Sequence, residues 1–513
     1  MNPRNRRQFL ADVGKGMLVA SVGSGLAVDL GLTALADEDP GPLNFGSKER
    51  LACLMQETPV KGLLPVIASQ LKSGTDLRSL VAAAALANAR TFGGQDYTGY
   101  HALMALAPSF QMASELPTQL QPLPVMKVLY RNTDRIQSVG GRKSEKLRPV
   151  RAADLPPGKR NGEALREATR SADMDRAEST FAALAKGPLG EAFNHLQFAI
   201  EDEVDVHRVV LAWRSWVLLD FTGQDQARNL LRQSVRYCVD AERNLAASKR
   251  SPCAIRTLLP KLLDQYRLLS QRVVGPEADD GWIEHLSNTI YGAGRERAAE
   301  AVAAALAEGM SPDCIGEAIS LAANRLVLCD PGRTRAEPGK PIGSVHGASV
   351  GVHASDSANA WRNIARVSNH RNTAASLIVG AYHTAGQDRG QSQEPYPLPA
   401  ELEKVKSGDP AELLRETEAA IKEKNQARAA ALVQHYGSLG HSPRPVFDLL
   451  LRYGVSEDGA LHAEKYYRTV TEEFAATRPS YRWRHLVALA RVTASEYGFP
   501  APGYAEARRL LSV

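Results

Sequence analysis

Leu77-Arg78-Ser79-Leu80-Val81-Ala82-Ala83-Ala84-Ala85-Leu86-Ala87 decides the fold class. Ala and Leu are the strongest helix formers, and the stretch has no β-branched alternation. The same helical spacing of apolar residues recurs through 164–186, 207–220, 226–247, 256–273, 296–307, 312–328, 411–434, 446–452, 462–476 and 482–497. Ser and Thr stand before several of these runs as N-caps, for example Thr75 and Ser311. No alternating stretch of five or more residues competes with them. The chain is therefore predicted to be all-α.

Three Pro-, Gly- and charge-rich stretches interrupt the helices: 137–163, 329–345 and 386–410. The first is basic, with Gly140-Gly141-Arg142-Lys143, and reads as a surface excursion. The other two bracket a His-rich region, and long loops are frequently functional. This divides the chain into a leader (1–36), N-terminal hairpins (37–136), the basic excursion (137–163), a central His-bearing region (164–385), a linker (386–410) and a C-terminal helical region (411–513).

The leader reads Asn5-Arg6-Arg7-Gln8-Phe9-Leu10, then a weakly apolar run from Gly16 to Ala36 ending in Ala34-Leu35-Ala36. It resembles the signal of the twin-arginine export pathway, with Asn5 and Ala11 where Ser or Thr and Lys are usual. The resemblance implies contact with that export machinery and a periplasmic or otherwise extracytoplasmic protein, exported already folded. The leader holds Arg4, Arg6, Arg7 and Lys15 against Asp12 and Asp29, a surplus of two. The formal charge of +5 for the whole chain thus leaves +3 for the remainder. Such a mild charge, without a basic stripe interleaved with aromatics, argues against a nucleic-acid partner. Beyond the leader no apolar run is long enough to span a membrane.

A faint repeat carries the candidate chemistry. Phe92-Gly93-Gly94-Gln95-Asp96-Tyr97-Thr98-Gly99-Tyr100-His101 and Tyr453-Gly454-Val455-Ser456-Glu457-Asp458-Gly459-Ala460-Leu461-His462 share an aromatic, a glycine and an acid at equal distances before a histidine. Each joins one apolar helix to the next. Glu201-Asp202-Glu203-Val204-Asp205-Val206-His207 and the segment from Ser344 to His353 follow the layout more loosely. Repeated hairpins bury their faces by stacking, as an α/α solenoid or toroid around a central cavity, and equivalent positions then lie on one edge. His101, His207, His353 and His462 are thereby expected to face one cavity. Imidazole is the commonest protein ligand of Zn, Fe and Cu. Asp356 lies one turn beyond His353, and Glu203 four residues before His207, spacings that share a helix face.

Other motifs weaken on inspection. There is no HExxH, Rossmann fingerprint or Walker loop, and no CxxC among the five cysteines. Those cysteines read mostly as small buried side chains, in a compartment that permits disulfides. Gly347-Ala348-Ser349-Val350-Gly351 matches G-x-S-x-G but lacks the strand that a nucleophile elbow needs. His370 and His383 bracket one apolar helix and mark its opposite ends. Arg366, His370 and Arg371 near its start fit a solvated helix entry better than an anion site. Trp213, Trp216 and Trp361 fit core packing better than a substrate wall.

The chain resembles the questin-oxidase-like family in Gly99-Tyr100-His101-Ala102-Leu103, Asp205-Val206-His207-Arg208-Val209, Val345-His346-Gly347-Ala348-Ser349-Val350-Gly351-Val352-His353-Ala354 and Gly459-Ala460-Leu461-His462. The pieces are short and cover about a quarter of the chain. The resemblance implies an all-helical fold with His-bearing helices and oxygenative, Baeyer–Villiger-type opening of polycyclic quinones. An exported, leader-bearing form departs from that family. The resulting expectation is a metal-dependent oxidoreductase or oxygenase using Fe, Cu or Zn on a small organic substrate, aromatic ones included. His101, His207, His353 and His462 would ligate or orient, Asp356 would ligate or hold an imidazole, and Glu203 would accept a proton. Two other classes compete: a non-catalytic helical scaffold that binds a partner, and a metal-dependent hydrolase.

Overall fold

The computed structural model describes residues 41–159, 161–270, 277–338, 340–345, 349–387 and 390–513. The twin-arginine leader and the His346–Ala348 part of the glycine-rich turn lie outside these residues. Among the described residues every regular element is helical, and the only bridges are isolated ones, Glu337 to Lys340 and Glu457 to Pro500. Pro42–Val513 form one compact unit. Among the described residues no helix is long and apolar enough to cross a membrane.

The Ala-rich stretch forms the helix Leu77–Phe92, buried without interruption from Leu80 onward. Small side chains on all faces suit a helix that others surround. Its cap is Asp76, one residue after the expected Thr75, accepting from Ser79 N. The runs 164–186 and 411–434 each divide in two. Ala172 and Lys424 adopt left-handed backbone and end the first helix, while Asp173 and Asn425 cap the second. The 256–273 run stops at Gln265, with Arg267 in the left-handed region. Amphipathic helices that the spacing did not single out occupy Glu49–Glu57, Val60–Lys72, Pro122–Ser138, Leu189–Ile200 and Asp280–Gly292.

The basic segment after Gln137 folds back instead of standing off the surface. Lys146 and Leu147 donate their backbone N–H groups to Arg90 O, and Leu147 is fully buried. Glu145 and Glu49 both pair with the buried Arg90, at 3.1 and 2.7 Å. A buried guanidinium needs such partners, and the segment supplies one of them.

Four helices position the histidines: Tyr97–Ser114, Val206–Thr222, Val350–Val367 and His462–Ala476. Each packs against the next, and the last packs against the first, closing a ring. Every histidine lies within the first five residues of its helix. Asp96, Asp205 and Ser349 cap the first three, accepting from Gly99 N, His207 N and Val352 N. The fourth starts from Leu461 in the left-handed region.

Two glycines set close approaches that hold this arrangement. Gly94, at φ +79°, would place a Cβ 2.3 Å from Gln233 O. Gly351, two residues before His353, would place one 2.5 Å from Val327 N of the helix Pro312–Leu328. Gly351→Ala is therefore expected to destabilise the protein by about 1–3 kcal/mol, because backbone cannot yield as a flexible side chain can. Gly62→Ala, in a helix with nothing near the new methyl, should be neutral or stabilising by up to about 1 kcal/mol. Chemical denaturation of the two variants checks the contrast.

Candidate functional site

The four histidine rings meet. Ring centres are 4.8 Å apart for His101 and His207, 5.7 Å for His207 and His353, 5.3 Å for His353 and His462, and 5.1 Å for His462 and His101. The order follows the ring of helices. His353 Nε2 and His462 Nε2 lie 3.2 Å apart. The Nε2 atoms of His101 and His207 are buried and accept or donate no hydrogen bond.

Local hydrogen bonds fix three of the rings. His101 Nδ1 lies 2.7 Å from Tyr97 O, His462 Nδ1 3.1 Å from Ala460 O, and His207 Nδ1 3.1 Å from Asp205 Oδ1. A carbonyl or carboxylate oxygen can only accept, so each Nδ1 carries the hydrogen. In a neutral imidazole the lone pair is then on Nε2. Burial pushes His101, His353 and His462 below their ordinary value, with the charge of Lys465 adding to it; His353 falls to about 3. Three of the four imidazoles are thus held neutral at pH 7. His353 is the ring whose Nε2 can donate, toward His462.

Asp205 has the site's most connected carboxylate. Besides His207, it accepts from the Tyr237 phenol through Oδ2. What burial it has opposes its charge, yet these hydrogen bonds outweigh that and hold it well below the usual carboxylate range. Tyr97 and Tyr100 pack their rings against His101 and His207. Lys465, one turn after His462, is fully buried; burial brings its amine down to about 8 against the opposing pull of Asp356 and Glu464.

A cleft of about 710 Å³ comes as near to the histidines as Tyr97, Tyr100 and Asp205, which touch them; none of the four histidines lines it. Its walls include Tyr97, Tyr100, Glu203, Asp205, Tyr237 and Tyr382. Glu203 precedes the helix that begins at Val206, so the shared-face argument with His207 does not apply. It faces the cleft and accepts from the backbone N–H groups of Val204 and Cys253. Asp356 is buried and accepts from Thr469 Oγ1 at 2.7 Å, not from an imidazole. Burial pushes its carboxyl up, and the charge of Lys465 opposes this.

The structure thus brings the four histidines together and leaves Glu203 on the cleft wall and Asp356 behind Lys465. Asp205, Tyr97, Tyr100, Tyr237 and Lys465 escaped the sequence reading as site residues. Lys465 follows His462 at i+3, and Asp205 is a cap two residues before His207, so both had a local signal. Tyr237 had none, since it lies in another helix. Among the described residues no three or more His, Cys, Asp or Glu form a group that could hold a metal ion as they stand. Four of the six ring pairs, those adjacent in the cycle, are nonetheless spaced near what one ion requires. With bonds of about 2.0–2.1 Å, imidazoles on one tetrahedral ion put neighbouring Nε2 atoms roughly 3.3 Å and ring centres roughly 5 Å apart.

The remaining sequence candidates find ordinary duties. Ser349 is a helix cap. His383 Nδ1 accepts from Trp361 Nε1, Arg371 pairs with Glu201, and Arg366 pairs with Asp313. Trp213 and Trp361 are buried, and Trp216 stacks on Phe193. All five cysteines are free thiols. No protein-family model, curated protein or solved structure matches the chain.

The depressed imidazoles make stability fall in acid. Between about pH 6.5, where an unfolded His titrates, and about 3 for His353, the unfolded chain binds protons that the folded chain refuses. Stability is then expected to decline as pH drops through this window, by up to about 1.4 kcal/mol per pH unit for each such group. Denaturant midpoints between pH 7 and 4 test this; replacing His353 with Asn should flatten the slope.

Proposed function

We propose that this chain is an exported metal-dependent oxidoreductase or oxygenase acting on an organic, aromatic substrate. One observation carries the reading: four imidazoles from four helices converge, with three Nδ1 hydrogens committed to fixed acceptors, the Nε2 atoms of His353 and His462 3.2 Å apart, and those of His101 and His207 buried without a partner among the described residues. Lone pairs facing each other in a buried place repel unless a cation stands between them. A proton on His353 relieves one such pair, and a metal ion relieves all of them. Small rotations of His101 and His207 would complete the coordination.

His101, His207, His353 and His462 would hold the ion, and imidazole suits Fe, Cu and Zn alike. Bound there, such a metal supplies redox or Lewis-acid chemistry. The chain's own residues do the rest. Asp205 keeps His207 in the Nδ1–H tautomer, as carboxylates behind metal-bound imidazoles do. Lys465, near its titration point, can hold or release a proton beside the imidazoles. Asp356 balances the lysine's charge. Glu203 stands where it can accept a proton from a molecule in the cleft. The cleft's volume and tyrosine walls suit an aromatic ligand. The likeness to questin-oxidase-like proteins favours an oxygenative reaction. The closed ring of helices favours a toroid-like stack of hairpins. The twin-arginine leader favours export of the folded, metal-loaded chain.

Elemental analysis of the purified protein is expected to find about one transition metal per chain, and His207→Ala should lose it with little change in helical circular dichroism. No metal after reconstitution, with histidines replaceable one at a time, would favour the scaffold reading instead. Turnover that is indifferent to oxygen would favour the hydrolase. Asp205→Asn should weaken metal affinity by roughly 10–100-fold, read by competition with a chelator.

A further inference from the structure

One chain of hydrogen bonds joins the cleft to the histidines. Tyr237, from the helix Ala227–Ala247, lines the cleft and donates its phenol hydrogen to Asp205 Oδ2. Asp205 Oδ1 in turn accepts from His207 Nδ1 and from the His207 backbone N–H. Burial, and then the negative charge of Asp205, push the phenol far above its ordinary value, so it stays protonated. With its hydrogen directed inward, the phenol oxygen keeps lone pairs for a donor arriving from the cleft.

The surroundings say what kind of donor. Tyr100 stands edge-on to Tyr237 at 5.4 Å and also packs against Tyr97, His101 and His207. An aromatic ring lying along Tyr100 would bring a substituent to the Tyr237 oxygen. The cleft wall carries four arginines and four carboxylates, so it has no surplus of positive charge. Arg208 donates to Ala199 O, Arg256 to Glu242 and Asp202 O, and Arg295 to Ala385 O. Arg250 donates to Ser248 Oγ, and the carboxylates of Glu203, Asp205, Asp240 and Glu242 share the wall, so an added carboxylate or phosphate gains no net attraction there. Glu203 and Asp205 make the inner wall acidic, which suits a neutral ligand that donates.

We propose that Tyr237 is a positioning residue that reads an aromatic hydroxyl: it accepts a hydrogen bond from a neutral hydroxyaromatic molecule in the cleft and relays it through Asp205 to His207. The inference rests on the cleft being the substrate site of the reading above. Accepting a hydrogen bond makes the phenol a stronger donor, which tightens its bond to Asp205 and the next bond to His207 Nδ1. Occupancy of the cleft is thereby felt at the imidazole without the ligand touching it. A ligand lacking the hydroxyl fills the same space and sends no such signal.

The probes are 2-naphthol, 2-methoxynaphthalene and 2-naphthoate, titrated calorimetrically into the full chain, both metal-stripped and metal-loaded. In the wild type 2-naphthol should bind roughly 3–10-fold tighter than the ether, the value of one hydrogen bond, and 2-naphthoate should bind more weakly than 2-naphthol. Tyr237→Phe should shrink the naphthol–ether gap to less than about twofold while keeping the helical circular dichroism. In ¹H–¹⁵N spectra of the metal-stripped chain, 2-naphthol should shift the His207 Nδ1–H resonance in the wild type and not in Tyr237→Phe. A gap that survives in Tyr237→Phe, equal affinities in the wild type, a preference for the carboxylate, no binding of any probe, or a silent His207 overturns the proposal. Because the metal-stripped chain is tested too, discrimination in a chain that takes up no metal on reconstitution would uphold Tyr237's role while defeating the metal reading, and metal uptake without discrimination would do the reverse.

Discussion

The hydrogen bond from Nδ1 of three of the four imidazoles to a fixed oxygen is the constraint on which the site depends. Tyr97 O, Ala460 O and Asp205 Oδ1 each take one hydrogen, and each lies within four residues of the histidine it holds. A ring pinned in this way has one orientation and one tautomer. Three such rings, with His353 beside them, leave Nε2 as the only outlet for lone-pair chemistry. Because these acceptors are local, each helix N-terminus delivers its histidine ready oriented. The tertiary fold has only to bring four N-termini to one place.

That gathering is achieved by close packing. Helices Tyr97–Ser114, Val206–Thr222, Val350–Val367 and His462–Ala476 touch in cyclic order, and Gly351 lets the third approach Pro312–Leu328 at backbone distance. Burial then lowers the basicity of His101, His353, His462 and Lys465 alike. Helix N-termini carry partial positive charge, which further disfavours a protonated imidazole. Four neutral nitrogen ligands with no carboxylate or thiolate among them would leave a bound ion with its full positive charge. Such an ion withdraws electrons strongly from whatever else it touches. Asp205, reached through His207, is the nearest compensation.

Much of this was legible in the sequence, for physical reasons that differ from element to element. The Ala-rich helix Leu77–Phe92 and the run 312–328 were plain because helix propensity and burial agree there. The breaks at Ala172 and Lys424 were not, because neither residue marks a left-handed turn as glycine would. The four histidines stood out because each follows a turn at the start of a helix, in stretches whose residue spacing looks alike. Glu203 and Asp356 were weighed by helical spacing alone. Spacing does not say where a helix begins, nor that Thr469 would take the Asp356 carboxylate. Asp205 was passed over both as a cap and as the partner of His207, two purposes that one side chain serves. Tyr237 and the cleft arise only from tertiary contact.

X-ray absorption at the metal edge of the purified protein tests the central claim most directly. The account predicts a first shell of nitrogen or oxygen at about 2.0–2.1 Å, with the outer-shell scattering of three or four imidazoles. A sulfur-containing shell, or one without imidazole scattering, would contradict it.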